Sequence, residues 1–302
     1  MRPIDLRNTP FSPLASHLLD ILHSLEGQDI PLILVGGFGL YLRRRLVETE
    51  GLRTLYDILP EPRATEDFDL AVRLHLLADI EKMQTLRNTL NRLGYEVVKS
   101  AEEYQFYKPG TGGPDRRNVK VDLMAREPGP DDPRLHSGGV RLMPRRKNNP
   151  LHAFRTPEAI AVEDGVREIV IAGSLTTGEV YQCRIFIPHP YALYLMKLFA
   201  FRDEEIGRKG IPRPLYARKH ALDLYTLTAL LTPDEYDTLT AYHKRYGTHP
   251  IGVEAAEIVR QFFGSQNASG ALRLLEHTNF PEANRLEDFL ALLQEVFNRL
   301  PA

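Results

Sequence analysis

Two short segments of the chain place acidic side chains within apolar, strand-like sequence. They read Asp67-Phe68-Asp69-Leu70 and Val119-Lys120-Val121-Asp122-Leu123. Because successive side chains of a strand point to opposite faces, Asp67 and Asp69 share one face while Phe68 and Leu70 share the other. Asp122 likewise points away from its apolar neighbours. The two segments therefore predict strands of one sheet, with a buried apolar face and three carboxylates on the opposite face.

Three carboxylates on neighbouring strands are typical of a divalent metal site. Mg²⁺ prefers hard oxygen ligands, and many polymerases use two such ions about 3.5–4 Å apart to transfer a nucleotidyl group. Paired aspartates are also common on solvated strand faces, so the assignment depends on the surrounding pattern. We predict that Asp67, Asp69 and Asp122 bind Mg²⁺ or Mn²⁺ and take part in catalysis.

A glycine pair, Gly36 and Gly37, ends a short apolar run upstream of these aspartates. Glycine lets a backbone approach a phosphate closely, and a helix N-terminus supplies N–H donors. The alternative is a tight turn that needs glycine only for its dihedral angles. Arg63 and Thr65 join the carboxylate face if the strand begins that early. There Arg63 would pair with a nucleotide phosphate or with the aspartates themselves, and the Thr65 hydroxyl would bind a phosphate oxygen. Ordinary surface positions are the alternative for both.

Two isolated charges form a second constellation. Lys197 is the only charged residue between Tyr191 and Phe201, and Asp223 stands among apolar neighbours. A charge on an apolar helix is costly unless it is paired or solvated. Two interpretations stay open. In the structural one, Lys197 and Asp223 form an ion pair that links two helices, or Lys197 extends its ammonium to water. In the catalytic one, Lys197 binds a triphosphate and Asp223 holds the lysine in place.

A basic segment follows the carboxylates, since no acidic residue stands between Asp132 and Glu158. A local excess of positive charge in a flexible, proline-bearing segment predicts contact with a phosphate backbone, and a solvated basic loop is the alternative. The residues predicted to bind RNA are Arg134, Arg141, Arg145, Arg146 and Lys147.

Composition limits the cellular setting. The 302 residues carry a formal net charge of −2, so a nucleic-acid surface has to be local rather than global. The single cysteine, Cys183, excludes an intramolecular disulfide. The N-terminus lacks the apolar core of a signal peptide, and the longest apolar run is too short to span a bilayer. We therefore expect a soluble, cytoplasmic protein without a membrane partner.

The character of the sequence changes after Pro188. Before it, strand patterns alternate with helices predicted at 11–25, 38–47 and 76–93, with a loop at 49–62 and an irregular stretch at 128–157. After it, helical periodicity predicts helices at 190–202, 215–231, 233–246, 252–264, 268–277 and 284–299. This order predicts an α+β fold, in which a mixed sheet flanked by helices over residues 1–188 precedes a helical domain over residues 189–302.

The order of these motifs resembles a known family. The matching segments are Gly36-Gly37, Arg63-x-Thr65-x-Asp67-Phe68-Asp69, Lys120-Val121-Asp122-Leu123, Lys197 and Lys219-His220-Ala221-Leu222-Asp223. They resemble the AbiEii/AbiGii-type nucleotidyltransferase toxins, which include the MenT-type toxins and belong to the DNA polymerase β-like nucleotidyltransferase superfamily. The resemblance covers about residues 30–230. Family members often have Lys-Asp where this chain has Lys219-His220.

The resemblance implies a nucleotidyltransferase-type catalytic domain and a helical domain that completes the active-site cleft, with NTP and Mg²⁺ as cosubstrates. Asp67 and Asp69 would hold metal and triphosphate, Asp122 would be the third carboxylate, and Lys197 and Asp223 would be the helical lysine and aspartate of the family. It also implies a toxin of a toxin-antitoxin system that adds nucleotides to the 3′ end of tRNA, with a cognate antitoxin. A protein or small-molecule acceptor, and an inactive binding or regulatory module, stay open as alternatives.

Overall fold

The computed structural model describes residues 2–63, 65, 67–101, 103–110, 118–145, 150–207, 210–281 and 283–298. The chain separates into two compact units. The first contains Met1–Glu50, Ala64–Pro157 and Val162–Pro188, and the second contains Gly51–Arg63, Glu158–Ala161 and His189–Ala302. The domain boundary after residue 188 stays a prediction. Two short segments from before that residue, Gly51–Arg63 and Glu158–Ala161, pack with the C-terminal part of the chain.

The first unit is built on a mixed sheet. Its strands in the described residues are β1 (Ile4–Asp5), β2 (Ile33–Val35), β3 (Asp67–Ala71), β4 (Glu96–Val97), β5 (Gln105–Lys108), β6 (Val119–Ala125), β7 (Leu135–Gly138), β8 (Arg141–Pro144), β9 (Ala153–Arg155), β10 (Arg167–Ser174) and β11 (Val180–Ile187). They lie in the order β1-β10-β11-β2-β3-β6-β9-β8-β7, and β5 pairs with both β4 and β6. Strand β3 runs parallel to β6 and antiparallel to β2.

One face of this sheet forms the core of the unit. Phe68 and Leu70 of β3, and Val121 and Leu123 of β6, are almost completely buried in it. Among the described residues, the α-helices of this unit are α1 (Ser12–Ser24), α2 (Gly36–Glu50), α3 (Leu74–Leu77) and α4 (Ile80–Arg92). The alternation of buried and partly exposed residues along β3 and β6 therefore confirms the predicted split into an apolar and an acidic face.

Two elements of the first unit differ from the sequence prediction. The long helix predicted at 76–93 is two helices, because Asp79 caps a new N-terminus and accepts hydrogen bonds from the N–H groups of Glu81 and Lys82, each at 3.1 Å. The stretch predicted as irregular at 128–157 contains β7, β8 and β9. Its strands are short and interrupted by glycine and proline, which hides the two-residue periodicity.

The second unit is helical. Its described helices are α5 (Pro190–Ile206), α6 (Pro214–Ala229), α7 (Pro233–Tyr246), α8 (Pro250–Phe263), α9 (Ser269–Leu275) and α10 (Leu286–Asn298). Helices α5 to α8 each begin with proline, whose fixed φ and missing N–H suit the first helical position. Thr232 and Glu235 add a capping box at α7. Buried aromatic rings fill the core, among them Tyr191, Phe263 and Phe297.

The segment predicted as a loop at 49–62 belongs largely to this second unit. Leu55 N–H donates to the carbonyl of Leu231 at 2.9 Å, and Tyr56 N–H donates to that of Ala229 at 3.4 Å. The ring of Tyr56 lies 5.6 Å from the ring of Tyr225 on α6. Backbone and ring contacts thus fix this segment at the C-terminal end of α6.

The predicted α+β class is confirmed: a mixed sheet with helices is followed by a run of helices. Within the described residues, none of the helices combines the length and the apolar composition that a bilayer span requires.

Candidate active site

The acidic face of the sheet brings the three predicted aspartates together. In the parallel pairing of β3 with β6, Asp69 stands directly opposite Asp122, and Asp67 stands opposite Lys120. Residues paired in register point to the same face of a sheet, so the three carboxylates and the Lys120 ammonium project to one side. The structure thus confirms the predicted shared face, while the catalytic roles of these residues stay predictions.

Asp122 is partly enclosed by the protein. Its Oδ1 atom is buried and has no hydrogen-bond partner in the described part of the chain. Burial raises the pKa of Asp122 above its ordinary value, a polar contact from the Gln105 side chain opposes this, and the charge of Asp67 raises the pKa further. A buried carboxylate oxygen without a partner costs free energy, and a cation or a proton removes that cost.

The glycine pair stands where a strand becomes a helix, as predicted. Strand β2 ends at Val35, helix α2 begins at Gly36, and Gly36 has a φ of 68°. Val35 is paired with Asp69, so the turn directly adjoins the carboxylate face. Thr65 lies before β3 rather than on it, and its hydroxyl donates a hydrogen bond of 2.8 Å to Asp67 Oδ1.

The oxygen-rich face fits a magnesium ion by its chemistry. In the described chain, no three histidine, cysteine, aspartate or glutamate side chains are disposed to hold a metal by themselves. Mg²⁺ is usually held by one or two carboxylates together with substrate phosphates and water, rather than by a cage of protein ligands. Asp69 and Asp122, opposite one another on adjacent strands, offer such a pair, and the unpartnered Oδ1 of Asp122 is a suitable donor.

Lys197 and Asp223 form a buried ion pair in the second unit. Lys197 Nζ donates to Asp223 Oδ2 at 2.6 Å, and the Asp223 side chain is 2% exposed. Arg63 binds the same carboxylate with two hydrogen bonds, Nε to Oδ1 at 2.6 Å and Nη2 to Oδ2 at 2.7 Å. Burial opposes the ionisation of Asp223, but the charges of Arg63 and Lys197 outweigh it and hold its pKa below the ordinary value.

Arg63 does not lie on the strand that carries the aspartates. Strand β3 begins at Asp67, and Arg63 belongs to the segment that packs with the second unit. The condition under which it would share the carboxylate face is therefore not met. Its guanidinium binds Asp223, and its predicted role in nucleotide binding stays a prediction.

His220 joins the Asp223 cluster from one helical turn away. Its position three residues before Asp223 places both side chains on one face of α6. Burial lowers the pKa of His220 to about 3, and the positive charge of Lys197 contributes to the shift. His220 is therefore neutral at physiological pH, and the cluster of Asp223, Arg63 and Lys197 keeps a net positive charge.

The basic residues predicted to bind RNA have different environments. Arg134 and Arg145 are exposed and adjacent, since Arg145 N–H donates to the Arg134 carbonyl at 2.8 Å. Arg141 forms an ion pair with Glu103 at 3.2 Å, which offsets its charge. Arg146 and Lys147 lie outside the described residues. The predicted flexible segment is in part the β7–β8–β9 meander, so its described arginines are fixed to strands and turns.

Sequence reasoning assigned no role to two residues of these clusters. Gln105 lies opposite Asp122 in the pairing of β5 with β6, and it precedes the buried Phe106 on β5. The alternation of polar and apolar residues around Gln105 is the sequence signal that could have found it. For His220 the signal was its helical spacing from Asp223, which periodicity alone does not separate from an ordinary core position.

Comparisons with known proteins give little further information. No protein-family model matches the chain, and no curated protein sequence matches it. One solved structure with a partial likeness is that of the antibiotic-resistance factor ANT(2'')-Ia, at 14% identity and a TM-score of 0.31, over 78% of this chain and 100% of that one. A likeness of this size supports neither a shared activity nor a shared substrate.

Asp223→Asn tests the buried cluster. The substitution leaves the buried Lys197 and the half-buried Arg63 beside a neutral amide, so we expect the free energy of unfolding to fall by about 3–5 kcal/mol. Urea denaturation followed by circular dichroism measures this. The control is Asp203→Asn, which removes an exposed ion pair with Arg202 and should cost about 0–1 kcal/mol. Equal costs for the two variants would contradict the assignment.

His220 makes a pH-dependent contribution to stability. The unfolded chain protonates this histidine near its ordinary pKa of 6.5, whereas the folded chain does so only near 3. Between these values the unfolded state binds more protons, so stability falls as the pH falls. Between pH 7 and pH 5, the free energy of unfolding should fall in both proteins, but in His220→Gln it should fall by up to about 2 kcal/mol less than in the parent protein. His75→Gln, at an exposed position, is the control, and parallel pH curves would refute the expectation.

Proposed function

We propose that the protein is a metal-dependent nucleotidyltransferase. The observation that carries this proposal is the register of β3 and β6, which sets Asp69 directly opposite Asp122 and places Asp67 on the same face. The unpartnered, buried Oδ1 of Asp122 supports it, because a carboxylate in this state is ready to accept a cation or a proton. The motif order shared with the AbiEii/AbiGii-type toxins supports the same reaction class.

In the proposed reaction an acceptor hydroxyl attacks the α-phosphorus of an NTP. The new oxygen–phosphorus bond forms as the bond to the bridging oxygen of the β-phosphate breaks, and pyrophosphate leaves. Asp67 and Asp69 would hold Mg²⁺, and Asp122 would join them or take the hydroxyl proton on a carboxylate oxygen. Bound Mg²⁺ supplies charge neutralisation for the phosphate oxygens. Burial raises the pKa of Asp122 above its ordinary value, which makes its carboxylate a better proton acceptor.

Two further parts of the chain are proposed to bind the nucleotide. Gly37, in the first turn of α2, would let a phosphate approach the backbone. In the second unit, Lys197 would bind phosphate oxygens while Asp223 holds its ammonium in place, and the 2.6 Å ion pair supports this orienting role. In the alternative, the ion pair only links α5 to α6. Replacing Lys197 or Asp223 would then lower stability without a specific loss of nucleotide affinity.

The acceptor that we propose is the 3′ end of tRNA, with a toxin role and a cognate antitoxin. The resemblance to the toxin family supports this choice, and the exposed, adjacent Arg134 and Arg145 provide positive charge on the first unit. A protein or small-molecule acceptor is the alternative. The chemistry at the phosphate would be the same for each acceptor.

Neutralising the carboxylates should abolish transfer. We expect Asp67→Asn, Asp69→Asn and Asp122→Asn each to reduce kcat by at least about 100-fold, the effect of losing one group that stabilises transition-state charge. The measurement is release of pyrophosphate from NTP with Mg²⁺ and an acceptor RNA. Asp131→Asn, an exposed acid of the same unit, should retain full activity. Full activity in a folded Asp67→Asn, Asp69→Asn double variant would refute the proposal.

A labelling experiment tests the acceptor. Incubation with α-labelled NTP, total RNA, cell protein and metabolites should place the label on tRNA, and label found only on protein would exclude the tRNA proposal. Replacing both Arg134 and Arg145 by glutamine should make RNA binding less sensitive to salt. If both arginines contact phosphates, the negative slope of log RNA affinity against log salt concentration should become shallower by about 1.4. Arg92→Gln, at an exposed position on α4, should leave that slope unchanged.

A further inference from the structure

The space beside Gly36 is filled by the carboxylate of Asp69. A β-carbon at residue 36 would overlap Asp69 Oδ2 and lie 2.8 Å from Asp69 Cγ. The φ of Gly36 is 68°, in the region where other residues are strained. Two independent features therefore favour glycine here: the backbone conformation, and the space that the missing side chain leaves for the carboxylate of Asp69.

The neighbouring aspartate has a different support. Thr65 Oγ1 donates to Asp67 Oδ1 at 2.8 Å, so this hydroxyl is engaged with a carboxylate of the same face. Asp67 and Asp69 are two residues apart on one strand face, and their like charges repel. Without supports, each side chain would sample several rotamers, and binding a cation would have to order both.

We propose that Gly36 and Thr65 are positioning residues for the two aspartates of β3. Gly36 seats the carboxylate of Asp69 against the start of α2, and Thr65 fixes that of Asp67 by a hydrogen bond. This inference rests on the proposed function for its purpose, because an arrangement fixed before the ligands bind avoids reorganisation during the reaction. It assigns both residues to the aspartates, and through them to the cation, rather than to the nucleotide phosphates.

A thermodynamic cycle tests the seat without any ligand. The melting temperatures of the parent protein, Gly36→Ala, Asp69→Ala and the double variant are measured in the presence of a chelator. The control is Gly94→Ala, because Gly94 also has positive φ, at 80°, but open space around it. We expect Gly36→Ala to lower the melting temperature more than Gly94→Ala does. In the Asp69→Ala background, the effect of Gly36→Ala should shrink to that of the control.

The cycle has clear contrary outcomes. An equal effect of Gly36→Ala in both backgrounds would overturn the seat, because the clash with the carboxylate would then not be its cause. If Gly36→Ala alone does not fold, folding of the double variant supports the proposal, and failure of both overturns it. None of these readings depends on catalysis or on a metal.

Thr65 is tested by cation binding and by steady-state kinetics. Binding of Mn²⁺ without nucleotide, followed by electron paramagnetic resonance, should weaken about 10–100-fold in Thr65→Val and recover in Thr65→Ser, which keeps the hydroxyl. We expect kcat of Thr65→Val to fall while KM for NTP changes little. A rise of KM with unchanged Mn²⁺ affinity would overturn the inference and assign Thr65 to the nucleotide.

Failure of the proposed function and failure of the positioning roles give different results. If the parent protein does not bind Mn²⁺ and does not consume NTP, the proposed function fails, and the melting-temperature cycle still decides whether Gly36 seats Asp69. If the parent protein binds Mn²⁺ and Thr65→Val binds it equally well with unchanged kcat, the proposed function stands and the positioning role of Thr65 fails.

Discussion

The parallel pairing of β3 with β6 is the constraint on which the candidate site depends. Phe68, Leu70, Val121 and Leu123 must all face the core, and this fixes the register because a slip of one residue would turn the aspartates inward. Burial of these four side chains stabilises the register by roughly 1.5–3 kcal/mol each. Burial of the apolar face thus offsets the repulsion between the carboxylates of Asp69 and Asp122, which the register brings close together.

The Asp223 cluster and the acidic face of the sheet differ in how far their charges are neutralised by neighbouring side chains. In the second unit, the carboxylate of Asp223 is bound by the cationic side chains of Arg63 and Lys197. Together the three side chains carry a net charge of one positive unit. In the first unit, three carboxylates share one face with Lys120, and one oxygen of Asp122 is left without a hydrogen bond. A buried group without a partner is unfavourable in a folded protein. The acidic face is therefore the one whose charge a ligand would complete.

Much of this arrangement was predictable because it depends on local periodicity. The two-residue alternation in β3 and β6, and the strand-to-helix turn at Gly36, are properties of a few neighbouring residues. The β7–β9 meander was not predicted, because its strands are too short for a periodic signal. The partner of Arg63 was not predictable either, since Arg63 and Asp223 are 160 positions apart and no local pattern connects them. The seat of Asp69 on Gly36 required the register of β2 with β3, which a glycine pair alone does not specify.

The assembly of the second unit from separate stretches of chain has a consequence for synthesis. Residues 51–63 leave the ribosome long before α6, yet the N–H groups of Leu55 and Tyr56 donate to carbonyls at the end of that helix. Until then these donors bond to water and the ring of Tyr56 lacks its neighbour Tyr225. A fragment cut after residue 188 would retain this unsatisfied segment, and one that starts at residue 189 would expose the surface that it covers. Neither piece is equivalent to one of the two units, so dissection of the protein requires that the segment be transplanted with the helices.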